Sequence, residues 1–129
     1  MTGRTRVLVA LSDPAGQQAI QNVLPRCGAE PIFASTMREA RAVLSQELEP
    51  VALVVCEDRL VDGNFRELLP VAKAAREEVP VVVTSRIENT EEYLEAMKLG
   101  AFDFVVAPFD RSELERIVHN ALHRAMAAV

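Results

Sequence analysis

The residues of this chain best placed to do chemistry are two adjacent carboxylates, Glu57 and Asp58, which close the apolar run VALVVC at 51–56. Acids at the mouth of a buried run can ligate a hard cation. The plainer alternative makes them solvated turn residues ahead of the loop RLVDGN at 59–64. A second set, Glu115, His119 and His123, recurs every four residues and shares one face of the last predicted helix. That spacing suits a transition metal, but the set flanks the helix's apolar stripe, and a solvated or partner-contacting face is the favoured reading. Cys56 precedes Glu57 with no histidine near it, and is expected to pack as a small buried thiol. Tyr93 fits an exposed interface anchor or an edge of the core equally well. The chain has no glycine-rich phosphate loop, Ser/His/Asp set or zinc pattern.

Composition bounds what can hold these groups in place. With 129 residues, half of them hydrophobic, the chain is expected to form one domain over 1–129 with a core from about 6 to 127. No apolar run approaches the roughly 20 residues that span a bilayer, and MTGRTRVLVAL lacks the pattern of a secretory signal. A cytoplasmic protein is expected, with Cys27 and Cys56 reduced. The net charge of −5 disfavours direct contact with nucleic acid or an anionic membrane.

Two periodicities alternate along the chain. Val/Ile/Leu-rich runs at 6–11, 31–34, 51–56, 80–84 and 104–106 are short and continuous, as strands covered on both faces are. Between them, helical spacing groups Ala19, Ile20, Val23 and Leu24, then Met37, Ala40, Val43 and Leu44, then Phe65, Leu68, Leu69 and Ala72, then Leu94 and Met97. The last helix carries the clearest stripe: Leu114, Ile117, Val118, Ala121, Leu122 and Ala125. Asp13-Pro14 suits a helix start, and Thr36/Glu39, Asn89/Glu92 and Asp110/Glu113 have capping-box spacing. Gly28 and Gly100 stand where helices should stop. Five βα units in succession predict a single α/β domain with a doubly wound parallel sheet. Ligand chemistry in such sheets collects at the carboxyl ends of the strands, and the register of the third strand aims Glu57 at that crevice.

The segment KLGAFDFVVAPF at 98–109 resembles the Gly-Ala, aromatic, Lys-Pro-Phe stretch of response-regulator receiver domains, the phosphoacceptor modules of two-component signalling. RLVDG at 59–63 is similar to that family's Leu-Pro-Asp-Gly loop, and the likeness runs from about Arg6 to Ala127. It implies a flavodoxin-like (βα)5 sheet in the order 2-1-3-4-5. It also implies that the phosphoacceptor position falls on Glu57, the metal-binding acidic pair on Leu11 and Ser12, the hydroxyl switch on Ser85 with Thr84 one residue away, the aromatic switch on Phe104, and the lysine on Ala107. The Ala107-Pro108 bond is expected to be cis. A register shift of one would bring Asp13 into the acidic pair, but Asp13-Pro14 reads better as a helix start.

These substitutions have chemical consequences. Mg²⁺ wants near-octahedral oxygen ligation; Leu11 offers no ligand, Ser12 only a neutral hydroxyl, and Ala107 no charge for a transferring phosphoryl group. Weak or absent Mg²⁺ binding is expected, without catalysis or another cofactor. A site with two acids and the lysine removed together keeps Glu57 as a carboxylate that needs no metal, and the expected function is a signalling module independent of phosphorylation. Glu57, one methylene longer than aspartate, could also reach towards Ser85 as a phosphoryl oxygen would, but the favoured reading is that it fills the space and makes ordinary hydrogen bonds. Expected partners are a histidine kinase or a downstream effector, with the face of the fourth helix, fifth strand and fifth helix as contact surface or homodimer interface. The alternatives are a working phosphoacceptor using Glu57 or Asp58, and the input domain of a transcription regulator, the latter disfavoured because no DNA-binding element follows the fifth helix.

Overall fold

In the computed structural model, residues 5–46, 49–75 and 79–127 are described, without the side chains of 75 and 125–127. The elements are β1 (Thr5–Ala10), α1 (Pro14–Val23) with a 3-10 turn at Leu24–Cys27, β2 (Ala29–Ala34), α2 (Met37–Leu44), β3 (Leu53–Glu57), the short strands β4 (Arg59–Leu60) and β5 (Gly63–Asn64), α3 (Phe65–Ala75), β6 (Val81–Ser85), α4 (Thr90–Lys98), β7 (Asp103–Val106) and α5 (Arg111–Ala127). The main sheet is parallel in the order β2-β1-β3-β6-β7. This is the expected flavodoxin-like order, with β4 and β5 added as a two-residue antiparallel hairpin in the loop after β3.

Every residue of β3 and of β6 is buried, as the unbroken apolar runs require. Side chains alternate between the two faces of the sheet. Leu8, Ala10, Val54, Cys56, Val81 and Val83 pack with α2, α3 and α4 on one side. Val7, Val9, Leu53, Val55, Val82 and Val105 pack with α1 and α5 on the other. On α5, Leu114, Ile117, Val118, Ala121 and Leu122 are all buried; burying a side chain of leucine size contributes about 1.5–3 kcal/mol. The side chain of Ala125, the last position of that stripe, lies outside the described residues.

On α4 the expected face holds at Met97, which packs against the core, and is corrected at Leu94. Leu94 is 59% exposed, and the residue that α4 buries is Ala96. A small residue at the contact lets the helix lie close to the sheet, while Tyr93 meets Phe104 edge-on at 5.9 Å and turns Leu94 outwards.

The helix starts follow the expected residues, with changes in their return contacts. Asp13 accepts from Gly16 N at 3.1 Å and Thr36 Oγ1 from Glu39 N at 3.1 Å. Glu39 closes on Ser35 N, one residue earlier than a capping box predicts. Asp110 accepts from Ser112 N. Asp62, at the tip of the β4–β5 hairpin, accepts from Met37 N at 2.7 Å and Arg38 N at 3.0 Å. It satisfies the exposed amides of α2 from outside that helix, and those amides hold its carboxyl below the usual range. After α4, Gly100 adopts φ 100° while Gly100 N and Ala101 N bond the carbonyls of Met97 and Ala96, the paired closure of a Schellman motif.

Two stability outcomes follow. Gly100→Ala should cost about 1–3 kcal/mol in urea unfolding, because a side chain at that φ is strained and its Cβ would also meet Lys73 Nζ. Gly28→Ala should cost less, since Gly28 has φ 72° and nothing within 4 Å of the added carbon; equal losses would show that backbone strain alone sets the cost and that the Lys73 contact adds nothing. Asp62→Ala should lower hydrogen-exchange protection at Met37 and Arg38, and unchanged protection would show that the cap carries no weight.

Candidate functional site

The site is built where strand order reverses, between the carboxyl ends of β1 and β3, with the end of β6 beside them. Register sets the level of each part: Ala10 pairs with Cys56 and Glu57 with Thr84, so Leu11, Ser12, Glu57, Asp58 and Ser85 converge at one end of the sheet.

Glu57 is only 4% exposed, and a carboxylate so placed needs donors. Ser12 supplies two, its amide at 2.9 Å and its hydroxyl at 3.1 Å, both to Oε1. Arg86 places Nη2 3.5 Å from Oε2. The arginine side chain is 65% exposed, so this ion pair adds little to stability, but it sets a positive charge over the buried acid. Leu11 is buried against the α1 side of the core rather than facing the cleft. Asp13 is occupied with capping α1.

Asp58 follows a different course. Its amide donates to Thr84 O at 2.6 Å, which fixes its backbone beside the end of β6. Its Oδ2 then lies 3.0 Å from Ser85 Oγ. The Ser85 hydroxyl proton faces both Asp58 and Ile87 O, while its oxygen accepts from Ile87 N at 3.1 Å. Glu57 thus makes ordinary hydrogen bonds, to Ser12 and Arg86, in place of a reach towards Ser85, and Asp58 is the acid that meets the hydroxyl. The reason is local, since Ser12 N lies within hydrogen-bond reach of the Glu57 carboxylate and the Asp58 backbone is already tied to the residue before Ser85.

The remaining positions complete the arrangement. Thr84 is buried within β6. Phe104 is 9% exposed and stands edge-on to Tyr93. Ala107 N donates to Ser85 O at 2.7 Å and its methyl brings no charge to the site; the bond to Pro108 is cis. Cys56 is fully buried, donates to Glu57 O, and is pushed up by burial first and then by the charges of Glu57 and Asp58, which leaves it an unreactive thiol.

A cleft of about 540 Å³ opens above these groups, lined by Glu57, Asp58, Ser85, Arg86 and Glu92 among others. Arg86 and Glu92 were not anticipated as site residues. The position of Arg86 directly after the β6 run was a usable signal. Glu92 was concealed by its capping-box spacing: Asn89 does cap Glu92 N at 3.1 Å, but the Glu92 carboxyl goes to Asp58 instead. Burial, followed by that hydrogen bond and by the charge of Asp58, pushes Glu92 up to about 7. Away from the cleft, Glu115 pairs with Arg26 at 2.7 Å, and His119 and His123 stack with ring centres 6.4 Å apart. Among the described residues no group of three His, Cys, Asp or Glu side chains is arranged to hold a metal ion. No described helix is long and apolar enough to cross a membrane.

No protein-family profile matches the chain. It is 28% identical over 119 residues to the response regulator protein PilR of Pseudomonas aeruginosa, covering 92% of this chain and 26% of that protein. It is 33% identical over 123 residues to the DNA-binding transcriptional regulator NtrC of Rhizobium meliloti, covering 95% of this chain and 25% of that one. The chain thus spans about a quarter of the length of these relatives. A response regulator receiver domain protein from Clostridium thermocellum shares its fold with a TM-score of 0.85 at 20% identity, over 97% of this chain and 99% of that one. Likeness to response regulators along almost the entire sequence, joined to the β2-β1-β3-β6-β7 sheet, identifies the chain as a response-regulator receiver domain.

Proposed function

We propose that this receiver domain signals without being phosphorylated, through contact with other proteins of a two-component pathway in the cytoplasm. The observation that carries the reading is the state of Glu57. Its carboxylate is buried and held by Ser12 and Arg86, so the positions from which a receiver would bind Mg²⁺ and admit a phosphoryl donor are used by the chain's own donors. Leu11 and Ala107 supply neither a ligand nor a charge, and binding a divalent ion there means giving up contacts already made. Glu57 is a resident anion with a resident cation, Arg86.

The switch positions fit the same reading. In receivers the hydroxyl turns to the phosphoryl group and the aromatic packs inwards. Here Ser85 already bonds a carboxylate, that of Asp58, and Phe104 is already inside. Asp58 takes the part of the phosphoryl oxygen, and the domain rests in the engaged arrangement. The contact face is α4–β7–α5, where Tyr93, Leu94 and Leu99 remain exposed at 41%, 59% and 42%. It suits a histidine kinase, a downstream effector or a second copy of the domain. Direct contact with nucleic acid or a membrane forms no part of this reading.

Amide NMR during titration with Mg²⁺ to about 10 mM, then with acetyl phosphate, should leave the signals of Ser12, Glu57 and Ser85 in place, with no phosphoryl adduct in intact-mass spectra. Site-localised shifts together with an adduct on Glu57 or Asp58 would establish a working phosphoacceptor instead. Replacing the acids one at a time separates their parts. Glu57→Ala should leave the ring signals of Phe104 and Tyr93 unchanged, whereas Asp58→Ala should move them; the reverse pattern would return the mimicry to Glu57.

A further inference from the structure

We infer that His119 and His123, one turn apart on the solvent side of α5, form a two-point chelate for a divalent transition metal ion of the zinc, nickel and copper class. The inference is independent of the acidic cleft, which neither histidine lines.

Spacing and burial together build the site. The run His119-Asn120-Ala121-Leu122-His123 lies wholly inside α5, which extends from Arg111 to Ala127. Residues four apart on a helix stand one above the other on the same side, the arrangement by which two histidines grip one ion. The helix is held in rotation by Leu114, Ile117, Val118, Ala121 and Leu122, all buried against the sheet, and this keeps both histidines exposed. Their rings stack at 16° between planes with centres 6.4 Å apart. Metal–nitrogen bonds are about 2.0–2.1 Å long, so a modest rotation of each ring brings a nitrogen of both onto one ion, and exposure leaves room for that rotation. A cavity of about 460 Å³ beside His119, lined also by Cys27, Ser112 and Arg116, gives space for waters or another ligand to complete the coordination.

The neighbouring groups set the character of the site. Glu115, one turn before His119, is bonded to Arg26 at 2.7 Å and is not a free third ligand. Cys27 places its thiol 3.9 Å from Glu115 O; burial first, and then the charge of Glu115, pushes it up, away from a ready thiolate. Two imidazoles therefore do the binding. Imidazole suits zinc, nickel and copper, with Cu²⁺ bound most tightly, whereas Mg²⁺ keeps to oxygen ligands. Local charge opposes a cation, since Arg116 stands at the cavity and Arg124 lies over the Phe102 ring. The site is accordingly one that fills and empties with the supply of metal. When filled, it ties one turn of α5 to the next and presents open coordination positions on the outside of the domain.

The experiment is a Zn²⁺ titration of the whole chain, carrying no added histidine tag, followed by imidazole nitrogen NMR near neutral pH. Both rings should shift together with a single midpoint and one ion per chain. Mg²⁺ should move neither ring, and Cu²⁺ should displace Zn²⁺. His119→Ala and His123→Ala should each weaken Zn²⁺ binding at least about tenfold, the smallest loss usual when even a supporting group is removed from a metal site. Acidification should release the ion, because imidazole ligates only when neutral. Separate midpoints for the two rings would show weak binding to single imidazoles and overturn the chelate. So would a variant that binds as tightly as the parent chain, or Zn²⁺ shifts confined to Glu57 and Asp58. The wild-type ring titration decides the question even where a variant folds poorly.

Discussion

A carboxylate removed from water must be met by donors or give up its charge, and the arrangement of this site is one answer to that constraint at Glu57. Desolvating such a group costs several kcal/mol unless hydrogen bonds replace the lost water. The parallel pairing of β1 with β3 brings the residues just beyond Ala10 level with Glu57, so that a backbone amide and a hydroxyl, both from Ser12, reach its buried carboxylate. The continuation of β6 adds Arg86 from the opposite side. A backbone amide is a donor that no single substitution at Ser12 other than proline removes, which makes this carboxylate less dependent on side-chain chemistry than one held by metal.

The two neighbouring acids are thereby given different environments despite their adjacency. Glu57 belongs to the sheet interior and is committed on both oxygens. Asp58, one residue further on, is half-buried and faces Ser85 and Glu92 across the cleft. Successive side chains at a strand end point apart, and here that separation divides a charge-balanced carboxylate from one that bonds the Ser85 hydroxyl.

The fold was readable because its signals are repeated: five apolar runs, five amphipathic segments and helix caps all agree on one topology. Boundaries differed by one or two residues at most strand ends. Leu94 misled because a two-residue pattern cannot distinguish which face of a short helix is covered; Ala96, with no large side chain to announce it, makes the contact. Site positions were readable as places on strands, since register follows from topology. Partnerships were not. Whether Glu57 or Asp58 meets Ser85 depends on the Asp58 amide bonding Thr84 O, and whether Glu92 closes its own helix start or crosses the cleft depends on a competing acid more than thirty positions away. Spacing along one helix carries no information about such a competitor.

The hairpin after β3 has a mechanical meaning. Asp62 reaches out of its own loop to hold two amides of α2, a helix on the side of the sheet where α3 and α4 also lie. The loop that begins with Asp58 and Arg59 thus ends on a helix beside the outermost strand, β2, while α4 flanks the sheet towards the other edge at β7. The segment 58–64 beside the acidic cleft is therefore pinned at both ends, by the Asp58 amide to Thr84 of β6 and by the Asp62 carboxylate to the first amides of α2.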